Sequence, residues 1–140
     1  MSHPVALRGF DSPMLTPRTS GPDAGTDEAV VVSVTDFNTA RWRHVPAVTL
    51  TGLRLRLGWY AMPGAVALWL WSMPARRRSG AVSIWTSEEA LRRFVTLPEH
   101  VAIMARNRSR GSLRSTTWHA ERFAPRDILA AAMGWIGDAR

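Results

Sequence analysis

"SIWTSEEALRRFVTLPEH", residues Ser83 to His100, decides the fold. Ala81 to Trp85 has the β-branched and aromatic content of a strand. Thr86 and Glu89 then stand at the T-x-x-E spacing of a capping box, whose side chains bond two orphan amides and start a helix. Leu91, Phe94 and Val95 give that helix an apolar face. Pro98 would break a helix interior but suits the first turn of a new one. The spacing therefore predicts a kink over Thr96 to Pro98 and a restart through His100, Val101, Met104 and Asn107.

Upstream, Ala65 to Met73, "AVALWLWSM", reads as a strand apolar on both faces, with Val66, Leu68 and Leu70 on one and Trp69, Trp71 and Met73 on the other. Pro74 to Gly80 is a polar turn that makes a hairpin with Ala81 to Trp85. Val45 to Trp59, opening on Pro46 and closing before Pro63-Gly64, reads as a helix. Ala29 to Thr35, "AVVVSVT", reads as a strand covered on both sides. Downstream, Ser112 to Phe123 is the last strand. Pro125 opens a terminal helix with Ile128, Leu129, Ala132, Met133 and Ile136 as its stripe.

The order β-α-β-β-α-β is that of an α+β, ferredoxin-like split βαβ domain, here with an additional C-terminal helix. Helices cover one face of such a sheet. The second apolar face calls for a second copy packed back to back, hence a homodimer. Residues 1–28, rich in Pro, Gly, Ser, Thr and Asp without an apolar period, read as a flexible N-terminal arm or a strap over a neighbouring subunit. Residues 29–140 form the one domain that a chain of 140 residues favours.

Composition narrows the chemistry. The absence of cysteine excludes disulfides, iron-sulfur clusters, thiolate zinc sites and a cysteine nucleophile. All 18 basic residues are arginine, which reflects a GC-rich bacterial genome as simply as it reflects phosphate binding. Arg76 to Arg78 sit at a hairpin tip, and Arg106, Arg108 and Arg110 end a helix, where cations are favoured. The aromatics lie on strands and do not interleave with these clusters, so nucleic acid is disfavoured as a partner. No stretch is long and apolar enough to enter a membrane, and no secretory signal is visible, so a cytoplasmic location is expected. His3, His44, His100 and His119 are scattered, and no metal site is expected. Phosphate-loop and serine-elbow motifs are missing.

The topology, with the run "AVSIWTSEEALRRFVTLPEHVAIMAR" at Ala81 to Arg106, resembles the dimeric α+β barrel superfamily, which includes antibiotic-biosynthesis and haem-degrading monooxygenases. The resemblance extends to the spheroidene monooxygenases, through a strand ending in Ser83, Ile84 and Trp85, a helix bearing Phe94, and His100 at the helix restart. It covers roughly Ala29 to Phe123, and it implies a pocket between the helices and the sheet. The haem-degrading branch uses an Asn on the first strand, a Trp in this helix and a His further on. Here Phe94 stands at the Trp position and Met104 at the His position, with Asn38 alone available as the Asn. That route of haem degradation is therefore not expected, while haem held through His100 remains an alternative to having no cofactor.

His100 lies close to a helix start, whose positive dipole end favours the neutral imidazole that a general base or metal ligand needs. Its bland alternative is a cap or a dimer-edge residue. Trp69, Trp71, Trp85, Trp118, Phe37 and Phe94, with Met104, are candidates to line an apolar substrate pocket; the alternative is core and interface. Asn38 and Arg114 are candidates to stabilise a substrate anion beside His100. The reading is a cofactor-independent, monooxygenase-like oxidoreductase acting on an aromatic or polyketide-type metabolite. Its rivals are a haem-dependent oxygenase, a non-oxidative cyclase, isomerase or lyase, and a ligand-binding or accessory protein without catalysis.

Overall fold

The computed structural model describes residues 13–138. Two short strands, β1 (Met14–Leu15) and β2 (Thr19–Ser20), precede β3 (Val30–Thr39), helix α1 (Val45–Gly58), β4 (Ala65–Met73) and β5 (Arg78–Trp85). Helices α2 (Glu88–Val95) and α3 (Pro98–Asn107), strand β6 (Gly111–Ala120) and helix α4 (Pro125–Gly137) complete the chain. The strands form one sheet in the order β1-β4-β5-β3-β6, with β2 also paired to β4. Every pairing is antiparallel. Because β5 lies between β3 and β4, the β3-α1-β4 unit is split, which is the ferredoxin-like α+β arrangement.

Local chemistry moves several boundaries. β3 continues past Thr35 to Thr39, since Asp36 and Asn38 pair with Arg114 and Ser112 of β6. The hairpin turn is shorter than the sequence implied. A 3-10 turn at Pro74–Arg76 closes on Arg77, whose φ of 55° is left-handed, and β5 begins at Arg78. Ser87, not Thr86, caps α2: its Oγ accepts the Ala90 N–H at 3.1 Å. The break at Pro98 and the restart as α3 are as expected.

Strand alternation sorts the side chains into two cores. On one face Val30, Val32, Val34, Val82, Ile84, Trp69, Trp71 and Met73 pack against Ile128, Ala132 and Ile136 of α4. On the other, Val31, Leu68 and Trp85 pack with Trp59 and Ala90 beneath α1 and α2. A register shift between Ala65 and Ala67 brings Val66 into the α4 core, on the face opposite Leu68. The cover that the sequence assigned to a second copy is thus supplied over these residues by α4 of the same chain.

Part of the N-terminal segment lies on its own sheet. Met14 and Leu15 pair with Ser72 and Trp71, and Thr19 and Ser20 pair with Leu68 and Ala67, which satisfies the outer edge of β4. Gly21 passes so close that a Cβ there would collide with the Ala65 carbonyl. Residues 1–12 of the expected arm lie outside the described residues.

Candidate functional site

Trp85 ends β5 with the parity opposite to Ile84, so it faces the helices while Ile84 faces α4. Trp59 enters the same space from the 3-10 turn that follows α1, and it is fully buried. The two indoles meet edge to face, with centroids 4.9 Å apart and planes at 73°. Phe94 of α2 completes the box, 5.2 Å from Trp85 and 6.4 Å from Trp59.

The kink at Pro98 folds His100, the third residue of α3, back onto the end of α2. Its ring centroid lies 4.6 Å from Phe94. Nδ1 stands 3.2 Å from the Val95 carbonyl oxygen. A carbonyl only accepts, so Nδ1 carries the proton and Nε2 keeps its lone pair. Nε2 has no hydrogen-bond partner among the described residues. Burial of the half-buried ring lowers its pKa below the ordinary 6.5, against an opposing contribution from the Val95 bond. The neutral form expected from the helix start is therefore favoured, with burial as the leading cause.

The three fully buried indoles, Trp59, Trp71 and Trp85, differ in how their N–H groups are met. Trp85 Nε1 donates to Ser83 Oγ at 3.0 Å, and that hydroxyl donates to the Ser33 carbonyl at 3.4 Å. Trp71 Nε1 donates to the Thr35 carbonyl at 3.0 Å. Trp59 Nε1 is buried with no partner. By sequence, Trp59 is the last residue of a helix, outside the candidate pocket, and Ser83 has no polar role. The signal available for Trp59 was its place at the end of α1 just before Pro63-Gly64, where a helix stops and its last large side chain can turn inward.

The other expected site residues lie elsewhere. Trp69, Trp71 and Trp118 belong to the core beneath α4, so the tryptophan set is divided by the sheet. Phe37 has the helix-side parity but sits six residues along β3 from Val31, the partner of Trp85, or about 20 Å at strand rise. Met104, on α3, is 38% exposed. Asn38 and Arg114 do come together, in a polar cleft of about 360 Å³ with Asp36, Arg76, Arg78, Ser112 and Leu113. This cleft shares its sheet face with α4, opposite His100. Arg114 is committed there: Nε donates to Asp36 at 3.0 Å, Nη2 to the Trp135 carbonyl at 3.1 Å, and the guanidinium lies over the Trp135 ring. The sheet thus separates Asn38 and Arg114 from His100, and the expected trio does not converge within one chain. His119 pairs with Glu88 on the exposed helix side, 3.0 Å away.

A neutral imidazole with an unpaired Nε2 can accept a proton. His100 touches Phe94, whose ring also contacts the fully buried Trp59 and Trp85, and neither the cleft at Asn38 nor the one at Pro22, Asp23 and Thr86 includes any of these four residues. No grouping of three or more His, Asp or Glu suited to a metal ion occurs among the described residues. No described helix is long and apolar enough to cross a membrane.

No family model and no curated protein matches the sequence. Solved structures match in fold. SnoaB, a cofactor-independent oxygenase from Streptomyces nogalater, solved as a point mutant, superposes with a TM-score of 0.57 at 18% identity, over 69% of this chain and 97% of that one. An uncharacterised ferredoxin-fold protein from Listeria monocytogenes, related to antibiotic biosynthesis monooxygenases, gives 0.56 at 17% identity over 79% and 65% of the two chains. A haem-degrading enzyme from Listeria monocytogenes gives 0.50 at 16% identity, over 74% and 68%. The chain has the ferredoxin-like fold of these monooxygenase-type proteins.

Proposed function

We propose that this chain is an oxygenase that acts on a flat, apolar aromatic substrate in the box formed by Trp59, Trp85 and Phe94, with His100 Nε2 as general base. The observation that carries the reading is the imidazole itself: half-buried, neutral, oriented through Nδ1 by Val95, and in contact with Phe94. The likeness of fold to a cofactor-independent oxygenase supports the reaction class.

Nε2 takes the proton of a phenol or enol. The resulting anion is electron-rich and transfers an electron to dioxygen, and the radical pair recombines at carbon as a peroxide. At an enol carbon that is a CH2 group in the keto form this gives CH–OO−; the O–O bond then breaks as the departing oxygen takes the C–H proton, leaving C=O and hydroxide. One oxygen atom enters the substrate, the other leaves as water, and the proton on His100 returns to the departing hydroxide. The aromatic walls exclude bulk water and hold the ring plane. Asn38 and Arg114 have no part in this step, since they face the other side of the sheet.

The test is oxygen uptake by the purified protein with polycyclic phenols. His100→Ala is expected to lose most of the uptake while its thermal unfolding stays close to that of the parent. A fully active variant overturns the assignment. A second reading has His100 Nε2 hold haem iron. A ring N–H bonded to a backbone carbonyl is the usual companion of a metal-bound imidazole, and the Val95 contact has that form. Haem would supply iron-based oxygen chemistry. A Soret band that disappears in His100→Ala decides for this alternative.

A further inference from the structure

We infer that the indole N–H of Trp59 is the recognition donor of the aromatic box, selecting a flat apolar ligand that carries a carbonyl or phenolic oxygen. The inference deepens the proposed function and rests on its placement of the ligand in that box.

Trp59 Nε1 is the one fully buried side-chain nitrogen or oxygen among the described residues that lacks a hydrogen-bond partner. Buried donors are almost always paired, and one left unmatched has lost its water without replacement. The other two fully buried indoles, Trp85 and Trp71, follow that rule, through Ser83 and through the Thr35 carbonyl. Trp59 lies in an apolar cluster with Val31, Ala65 and Leu68, and its ring neighbours are Trp85 at 4.9 Å and Phe94 at 6.4 Å. A ring face is a weak acceptor, so these neighbours do not stand in for an oxygen.

Trp59 is fully buried, so a ligand reaches its N–H only if α1 opens. None of its residues is buried. Leu50, Leu53, Leu57 and the following Tyr60 are 48%, 43%, 77% and 71% exposed. A helix with so little buried apolar surface opens at low cost compared with the sheet beneath it. Movement of α1 would uncover Trp59, with its one donor in Nε1, against Phe94, whose ring is also in contact with His100 and its one acceptor in Nε2. That pair matches an aromatic ligand bearing both a carbonyl and a hydroxyl. An all-hydrocarbon ligand would leave both groups unmatched, which is how buried polar groups discriminate.

The probes are fluorenone and fluorene, flat ring systems of like shape that differ by the carbonyl. Binding is measured by tryptophan fluorescence, and the ketone's carbonyl stretch by infrared difference spectroscopy. The parent protein is expected to bind fluorenone about tenfold more tightly than fluorene, the scale of one neutral hydrogen bond. The bound carbonyl stretch is expected to fall. Trp59→Phe keeps the ring and loses the N–H, so both the preference and the shift vanish; Trp71→Phe, in the core beneath α4 and with its N–H already met by the Thr35 carbonyl, keeps them. If Trp59→Phe does not fold, the Trp59 indole proton resonance of the parent protein gives the same answer, moving downfield with fluorenone and not with fluorene. Equal binding of the two probes, or a preference that survives Trp59→Phe, overturns the inference and leaves the box standing as a ligand site. Failure of both probes to bind the folded parent overturns the inference together with the proposed site.

Discussion

Arg78 places Nη2 2.7 Å from Oδ2 of Asp36, and the two side chains are only 9% and 4% exposed. Arg114 Nε reaches the same oxygen at 3.0 Å. Both arginines then extend to the carbonyl end of α4, Arg78 to Ile136 at 2.8 Å and Arg114 to Trp135 at 3.1 Å. One carboxylate therefore holds two cations against the negative end of the helix that covers the sheet. Asp36→Ala leaves a buried guanidinium without its counter-charge and is expected to cost about 3–5 kcal/mol in chemical denaturation. Arg114→Gln, at a more exposed partner, is expected to cost about 1 kcal/mol or less. A loss for Asp36→Ala no larger than that for Arg114→Gln would show that the buried pair does not anchor α4.

This anchor shows where sequence reading stops. The valines of β3, the apolar run of β4 and the Pro98 restart carry periods of two and 3.6, so the elements and their order were legible. Period does not say which element covers which face. Ile128, Ala132 and Ile136 read equally well against a partner or against Val30, Val32 and Val34. Asp36 looked like the first turn residue after a strand, because nothing local announces that Arg78 and Arg114 pair with it across the sheet. For the site, Trp85, Phe94 and His100 were adjacent enough in sequence to be grouped through one strand-helix-kink unit. Asn38 and Arg114 were not, since placing them depended on the continuation of β3 past Thr35. Trp59 escaped because an unmet indole N–H is a property of packing, invisible to any spacing.

The start of α2 separates two adjacent hydroxyl residues. Ser87 Oγ accepts the Ala90 N–H at 3.1 Å, so Ser87→Ala removes a cap and is expected to cost about 1 kcal/mol of stability. Thr86→Ala, one residue before that cap and exposed, is expected to stay within about 0.5 kcal/mol of the parent. Urea denaturation of the two variants distinguishes the observed cap from the capping box that the sequence spells. The reverse ranking would move the cap back to Thr86.

Burial lowers the pKa of His100 below its ordinary 6.5. As pH falls, the unfolded chain takes up this proton before the folded one does. Stability from this group is therefore complete above pH 6.5 and is lost as pH falls from there through the lowered folded-state value. His44 is shifted in the same direction, so the His100 share is the difference between the parent and His100→Gln. The denaturation midpoint of the parent is expected to fall more steeply with acid over that window than that of the variant. Equal slopes would mean that the imidazole titrates alike in both states, which removes the electrostatic basis for a neutral His100 as base.

Trp59 and Trp85 are both fully buried and touch each other, yet Trp→Phe is expected to act on them differently. Each substitution removes similar ring volume and leaves a similar void. At Trp85 it also breaks the bond to Ser83 Oγ. At Trp59 it removes a donor that has no partner, which offsets the void. Trp85→Phe is therefore expected to be the more destabilising by about 1–2 kcal/mol, with Trp59→Phe close to the parent. Equal losses in urea denaturation would mean that the Trp59 N–H is already met in the folded protein. It would then have no unsatisfied capacity to offer a ligand, and the basis for its selecting an oxygen-bearing ring would be gone.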